Sequence, residues 1–98
     1  MKRLTDLDPH WLRDGERHGI GVSFECSCGC GDRMAVGFAN PLDGGAPVIV
    51  TRNVEGIPTW WQRTGDTFET MSLSPSIVVW RAKKEHWHGV LQDGIVTP

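Results

Sequence analysis

Large apolar residues recur at every second position over two stretches, 20–26 and 34–38, and this period constrains the fold more than any other feature. A β-strand turns successive side chains to opposite faces, so the alternation predicts two strands with one buried face each. Cysteines and glycines separate the two stretches, which predicts a cysteine-bearing turn within a hairpin.

Further strands are predicted from runs rich in β-branched and aromatic residues: 48–51, 59–64, 67–71, 76–80 and 86–91. The Gly-Asp pair at 65–66 predicts a tight hairpin turn between the second and third of these runs. The Asp-Gly pair at 93–94 predicts another, which would place Leu91 opposite Val96 as an apolar cross-strand pair.

A single helical turn is predicted, close to the amino terminus. Asp8 is a typical N-cap, Pro9 fits the first helical position and Gly15 fits the stop. The predicted fold is therefore mainly β: a small antiparallel domain spanning residues 1–98, in which residues 1–17 form the helical turn and an arm.

Composition excludes several classes of protein. The chain has 98 residues and a formal net charge of -2, with both signs scattered along it, so it lacks the basic face that phosphate binding by electrostatics needs. No apolar run is long enough to span a bilayer, and the amino-terminal charges precede no apolar stretch of a secretory signal. These features predict a soluble, intracellular protein.

All three cysteines, Cys26, Cys28 and Cys30, fall within five positions. An odd number in one segment does not make a disulfide framework, and neighbours one residue apart are poorly placed to bridge each other. In a reducing compartment such thiols indicate metal or redox chemistry.

Two histidines supply the other half of a metal site. His86 and His88 are two residues apart, so on a strand both imidazoles would project from one face. Two thiolates and two imidazoles would make a tetrahedral Cys2His2 site, for which Zn²⁺ is the preferred ion, with iron as the alternative. The predicted ligands are drawn from Cys26, Cys28, Cys30, His86 and His88, and the zinc would staple the two ends of the β domain together. The alternative is that these are ordinary thiols and solvent-facing histidines.

Other residues allow different interpretations. Glu85, beside the histidines, could act as a general base on a metal-bound water, and Glu25 is a second candidate. Trp60 and Trp61 next to Arg63 could stack on nucleic-acid bases, although adjacent tryptophans on a strand point to opposite faces, so that one would be core. The segment 74–76, Ser-Pro-Ser, lacks a G-x-S-x-G context, so no nucleophile is inferred from it.

Four segments resemble a family of small tailed-phage proteins of unknown function: the cysteine turn 26–30, the loop 40–45, a block over 61–77 that ends in LSPSI, and the HWHG segment 86–94. The resemblance implies a viral origin, action in the host cytoplasm and a pairing of the cysteine turn with the HWHG segment. A related domain occurs beside ubiquitin-like conjugation components in bacteria, which implies interaction with a protein.

Together these observations favour a non-enzymatic phage accessory protein with one structural Zn²⁺ per chain. It would bind a host or phage protein and interfere with host defence or metabolism. The alternatives are a zinc-dependent hydrolase and a nucleic-acid-binding zinc module. Nucleic acid is the weaker partner prediction, no membrane partner is expected, and a homodimer is left open.

Overall fold

The computed structural model describes residues 2–27, 29–53, 55–81 and 84–97, with their side chains except at residues 43, 75, 79–81 and 84–87. Over this part of the chain the structure consists of strands and two short 3-10 helices, without an α-helix. The strands pair in antiparallel sheets, so the prediction of a mainly β, antiparallel fold is confirmed.

The strands, in chain order, are β1 Lys2–Arg3, β2 His10–Arg13, β3 Gly19–Glu25, β4 Arg33–Gly37, β5 Thr51–Arg52, β6 Pro58–Thr59, β7 Gln62–Thr64, β8 Ser72–Arg81, β9 Lys84–Gln92 and β10 Ile95–Thr97. The largest sheet has the strand order β1-β10-β9-β8-β7. A second sheet has the order β2-β3-β4, and a third consists of β5 and β6.

One hydrophobic cluster joins the two larger sheets, because the inward faces of both contribute to it. In the hairpin β3–β4, Val22 pairs with Val36 and Phe24 with Met34, and all four side chains are buried, as the alternation predicted. The five-stranded sheet contributes Leu73, Ile77, Leu91 and Val96. On the outward face of that sheet, Ser74, His88, Val90 and Gln92 are exposed.

The amino-terminal prediction is wrong in its position. The helical turn is a 3-10 helix over Leu4–Leu7, which ends at Asp8 with a left-handed φ of 48°. Leu4 and Leu7 are three residues apart, so one turn of 3-10 helix buries both. The segment predicted as helical instead contains strand β2, because Trp11 pairs with Val22 and packs against the core.

The turn predictions have mixed outcomes. Asp93 (φ 50°) and Gly94 (φ 74°) form the expected tight turn, and Leu91 pairs with Val96. The prediction of a tight turn at residues 65–66 is wrong, because residues 65–71 form a longer loop between β7 and β8. This longer loop buries Met71 completely and stacks Phe68 on Trp11, with ring centroids 4.4 Å apart.

The run 48–51 contributes only its last residue to β5, and Val48 and Ile49 are exposed. The run 59–64 is divided between β6 and β7, with Trp60 and Trp61 lying between them. In the described part of the chain, no helix is both long and apolar enough to cross a membrane.

Gly94 joins three parts of the fold. Its carbonyl accepts a hydrogen bond from the Leu4 N–H (2.8 Å), and its N–H donates to the Met71 carbonyl (2.8 Å). A Cβ on Gly94 would meet the main chain of the 65–71 loop, 2.8 Å from the Phe68 carbonyl oxygen and closer still to that of Glu69. The last hairpin therefore has to carry glycine here to hold the amino terminus and the loop together.

We expect Gly94→Ala to lower the free energy of unfolding by about 2 kcal/mol or more beyond the cost of a left-handed alanine, because main-chain atoms must move. Gly56→Ala is the matched control, since Gly56 has a similar φ of 83° with nothing within 4 Å of the added Cβ. Urea unfolding of both variants measures the difference. Equal losses would contradict the role assigned to Gly94.

Candidate active site

Strands β8 and β9 bring a serine and a histidine together on the outward face of the five-stranded sheet. Val78 pairs with His88 across the two strands, and Ser76 is two residues from Val78, so Ser76 is the diagonal neighbour of His88 on the same face. The Ser76 Oγ lies 2.8 Å from the His88 Nε2. This is the distance of a hydrogen bond between a hydroxyl and an imidazole.

A bulge in β8 places this serine. The cross-strand pairs Leu73–Leu91 and Ile77–Gly89 are consecutive in the ladder, so residues 74–76 of β8 lie opposite Val90 alone. Bulges re-aim side chains and are frequent beside active sites, and Pro75, which has no N–H, is tolerated at such an interruption. Leu73 and Ile77 on either side remain buried in the core, so the bulge is anchored at both ends.

Trp61 holds the main chain of Ser76 from the core side of the sheet. Its indole N–H donates a hydrogen bond to the Ser76 carbonyl (3.2 Å), and its side chain is buried in the core. The Trp61 main chain is held in turn, because its N–H donates to the Gly37 carbonyl (2.9 Å) and its carbonyl accepts from the Ala39 N–H (2.8 Å). The position of Ser76 is thereby tied to the end of β4.

The Ser76–His88 pair is open to solvent. His88 is exposed and Ser76 is half-buried. In the tautomer whose Nε2 carries no hydrogen, the imidazole accepts the hydroxyl proton, which is the arrangement of a serine activated by a general base. A cleft of about 470 Å³ adjoins Ser76 along β8. Its described lining residues are Gln62, Thr64, Ser72, Leu73, Ser74, Ser76, Val90, Leu91 and Gln92.

The predicted zinc ligands are only partly within the described residues. Cys26 is buried at the end of β3 and Cys30 is exposed. Cys28 and the side chain of His86 lie outside the described residues, and His88 is the partner of Ser76. Among the residues that the structure describes, no three His, Cys, Asp or Glu side chains come together as metal ligands. The zinc ligand set stays a prediction.

The cysteine turn has a structure of its own. The Cys26 N–H donates to the Asp32 carbonyl (2.8 Å), and the Gly29 N–H donates to the Cys26 carbonyl (3.2 Å). Gly29 and Gly31 both have left-handed φ angles, of 82° and 86°. The glycines of this segment are therefore required for the tight return of the chain from β3 to β4.

Trp60, Trp61 and Arg63 do not form an exposed stacking platform. As expected for adjacent tryptophans, one is core and the other is more exposed: Trp61 is 9% and Trp60 37% accessible. The Arg63 guanidinium lies over the Phe38 ring, 5.5 Å from its centroid, and donates to the carbonyl of Gly65 at 2.8 Å. The Arg63 guanidinium therefore makes its contacts within the fold.

The contact between Asp14 and His18 stabilises the main chain of a turn. The Asp14 carboxylate accepts the main-chain N–H groups of His18 (2.8 Å) and Glu16 (2.9 Å) and contacts the His18 Nδ1 at 2.9 Å. The hydrogen bond from the His18 main chain lowers the pKa of Asp14 most strongly. This pair organises the turn between β2 and β3.

Sequence reasoning missed Ser76. A search for a nucleophile elbow could not find it, because that motif belongs to a strand-to-helix turn. A signal was present nevertheless: the runs 76–80 and 86–91 are joined by five residues, so they were candidates for a hairpin that places Ser76 and His88 on one face. The bulge, which has no sequence pattern of its own here, completes the approach.

Comparison with protein families gives one finding. Residues 3–98 match the family model described as "Bacterial ubiquitination-like system serine protease (BubE)". Comparisons with curated proteins and with solved structures gave no significant match. The prediction of a zinc-binding phage accessory protein is therefore wrong, and so are its two zinc-based alternatives, because the matched family is one of bacterial serine proteases. The resemblance to tailed-phage proteins is not tested by this match and stays a prediction.

We expect Trp61→Phe to slow the reaction of Ser76 with a fluorophosphonate reagent by about five- to tenfold, because about 1 kcal/mol of hydrogen bonding to the Ser76 main chain is lost. Trp60→Phe is the matched control, since it removes an indole hydrogen bond of the same kind, to the Val48 carbonyl (2.9 Å). Circular dichroism confirms folding of both variants. Equal reaction rates in the two would contradict the positioning role of Trp61.

Proposed function

Because the chain belongs to the BubE family of bacterial ubiquitination-like system serine proteases, we propose that it hydrolyses peptide bonds with Ser76 as nucleophile and His88 as general base. The observation that carries the proposal is the 2.8 Å contact between the Ser76 Oγ and the His88 Nε2. A serine alone is a weak nucleophile, and an adjacent base within hydrogen-bond reach is the arrangement that activates it.

The reaction follows from this contact. The Ser76 Oγ attacks the carbonyl carbon of the scissile bond while His88 accepts the hydroxyl proton. The tetrahedral intermediate collapses, the carbon–nitrogen bond breaks and His88 gives the proton to the leaving amine. Water then attacks the ester on Ser76, with His88 again taking a proton and returning it to the Ser76 oxygen. The acid product leaves and the enzyme is restored.

The bulge supports this role in two ways. It turns Ser76 outward, although Ile77 next to it is buried in the core. A bulge also leaves main-chain groups outside the regular ladder, and main-chain N–H groups beside a nucleophile are the usual donors to the oxyanion. We assign the stabilisation of the oxyanion to one main-chain N–H of this bulge, since Pro75 has none and Ser74 pairs with Gln62 of β7.

Exposure of the pair supports a protein as substrate. His88 is exposed on an open sheet face, and the cleft beside Ser76 opens to the surface, so a segment attached to a folded protein can reach the serine. The family description supports a component or conjugate of a bacterial ubiquitination-like system as that protein.

The nucleophile is tested by covalent labelling. We expect a fluorophosphonate to phosphonylate Ser76 with loss of fluoride, and Ser76→Ala to abolish both labelling and peptide hydrolysis. His88→Ala should slow labelling by at least about a hundredfold, because the base is lost. Intact-protein mass spectrometry followed by peptide mapping identifies the labelled residue.

Ser27→Ala is the control, since this serine lies in the turn that follows β3 and is not part of β8 or β9. Its labelling should equal that of the natural sequence. Labelling of a residue other than Ser76, or undiminished labelling of the His88 variant, would contradict the proposal.

A further inference from the structure

Short side chains form the floor of the cleft that leads to Ser76. On β8, Ser72, Ser74 and Ser76 all face outward, while Leu73 and Ile77 face the core. Ser72 is held in place, because its hydroxyl accepts the Asp93 N–H at 2.9 Å. The middle strand of this part of the sheet therefore presents a row of serines that ends at the nucleophile.

Longer side chains stand on the neighbouring strands and make the walls. On β7, Gln62 pairs with Ser74 and Thr64 with Ser72. On β9, the Leu73–Leu91 pair sets the register, so Val90 lies beside Ser74 and Gln92 beside Ser72. All four wall residues line the cleft and are exposed. We call this feature the serine trough: the floor Ser72, Ser74 and Ser76 with the walls Gln62, Thr64, Val90 and Gln92.

The dimensions of the serine trough limit what can enter it. Neighbouring strands are about 4.8 Å apart, so β7 and β9 are separated by about 10 Å, and the three serines span roughly 13 Å or less along β8. An extended backbone of three or four residues fits this space. Every second side chain of such a segment points down to the floor, where only a short one can be accommodated.

The chemistry of the trough adds a second limit. Its described lining residues are serines, a threonine, glutamines and aliphatic residues, none of which carries a charge. Hydroxyl and amide groups can bond the main chain of an extended segment, but a charged side chain on the floor would lose water without gaining an opposite charge. Small, uncharged residues are therefore favoured at the positions that face down.

The β7 edge of the sheet, next to the trough, offers no competing place for the same segment. β7 is an edge strand, and an extended peptide can add to such an edge through main-chain hydrogen bonds. The Asn40 side chain already occupies those groups: the Arg63 N–H donates to Asn40 Oδ1 (2.8 Å), and Asn40 Nδ2 donates to the Arg63 carbonyl (2.8 Å). This cap blocks strand addition and leaves the face of the sheet as the path to Ser76.

We infer that the serine trough binds an extended, uncharged segment of the substrate on one side of the scissile bond, in which alternate residues are small: glycine, alanine or serine. The inference rests on the proposed serine protease function and deepens it by naming the substrate class. The residues between these positions point to solvent, and their size and charge are unconstrained. A flexible tail rich in small residues meets these requirements, whereas a segment with charged or bulky residues at alternate positions does not.

Internally quenched peptides test the alternation. In an alanine and glycine background, single Lys, Glu, Leu or Trp replacements are scanned over four positions on each side of the cleaved bond. We expect the replacements at alternate positions on one side to lower kcat/KM by about tenfold or more, with changes within about twofold at the positions between them. Uniform tolerance, or a preference for a charged or bulky residue on both sides, would overturn the inference.

A change of specificity tests the trough itself. Gln62→Lys places a cation on one wall, so the kcat/KM for a peptide with Glu at a constrained position should rise severalfold relative to the uncharged parent peptide, and that for Lys should fall further. Ile57→Lys is the matched control, because it adds the same charge at an exposed site on the β5–β6 hairpin. If the ratio of kcat/KM for the Glu peptide to kcat/KM for the parent peptide were equal in the two variants, the assignment of the trough would be overturned.

Labelling of Ser76 distinguishes the protease function from the inferred specificity, since the fluorophosphonate needs no peptide in the trough. Labelling at Ser76 without the alternating preference would overturn this inference and leave the protease function standing. Absence of labelling at Ser76 would overturn both.

Discussion

The antiparallel pairing of β8 with β9 is the constraint on which the rest of the structure depends. One face of this pair carries Ile77 and Leu91 into the core, and the other carries Ser76 and His88 outward. Because side chains alternate with a period of two, a slip of one residue would exchange the two faces. Burial of the apolar face therefore fixes the register that brings the serine to the histidine, so folding energy and site geometry come from the same pairing.

The bulge in β8 needs support from outside the pair, and the segment between β6 and β8 supplies it. Trp61 bonds to the Ser76 carbonyl from the core, and Arg63 is held over Phe38. Asn40 caps the outer edge of β7. These contacts join the end of β4 to the proposed active site. Trp61 and Arg63, which the sequence suggested as part of a binding surface, therefore make their contacts inside the fold.

The cysteines are a stronger sequence signal than the serine for a physical reason. Three thiols within five positions form a local signal, and soft ligands beside a histidine pair are typical of zinc sites. Ser76 and His88 are separated by twelve positions on two strands and form no local motif. A strand-to-strand pair of catalytic residues is defined by register, which a search for short motifs does not examine. The family match indicates serine chemistry, and the 2.8 Å contact with His88 is the reason that Ser76 is proposed as the nucleophile.

By itself, the sequence determined the features that depend on near neighbours. Alternation defined the β3–β4 hairpin, and the Asp-Gly pair defined the last turn with its Leu91–Val96 contact, because period and turn chemistry are local properties. The tertiary structure alone decided the position of the amino-terminal turn, the long loop that buries Met71, the bulge at Ser76 and the anchor from Trp61. Each of these features depends on contacts between residues that are distant in the chain. The burial and pairing that stabilise it are not contained in any short segment.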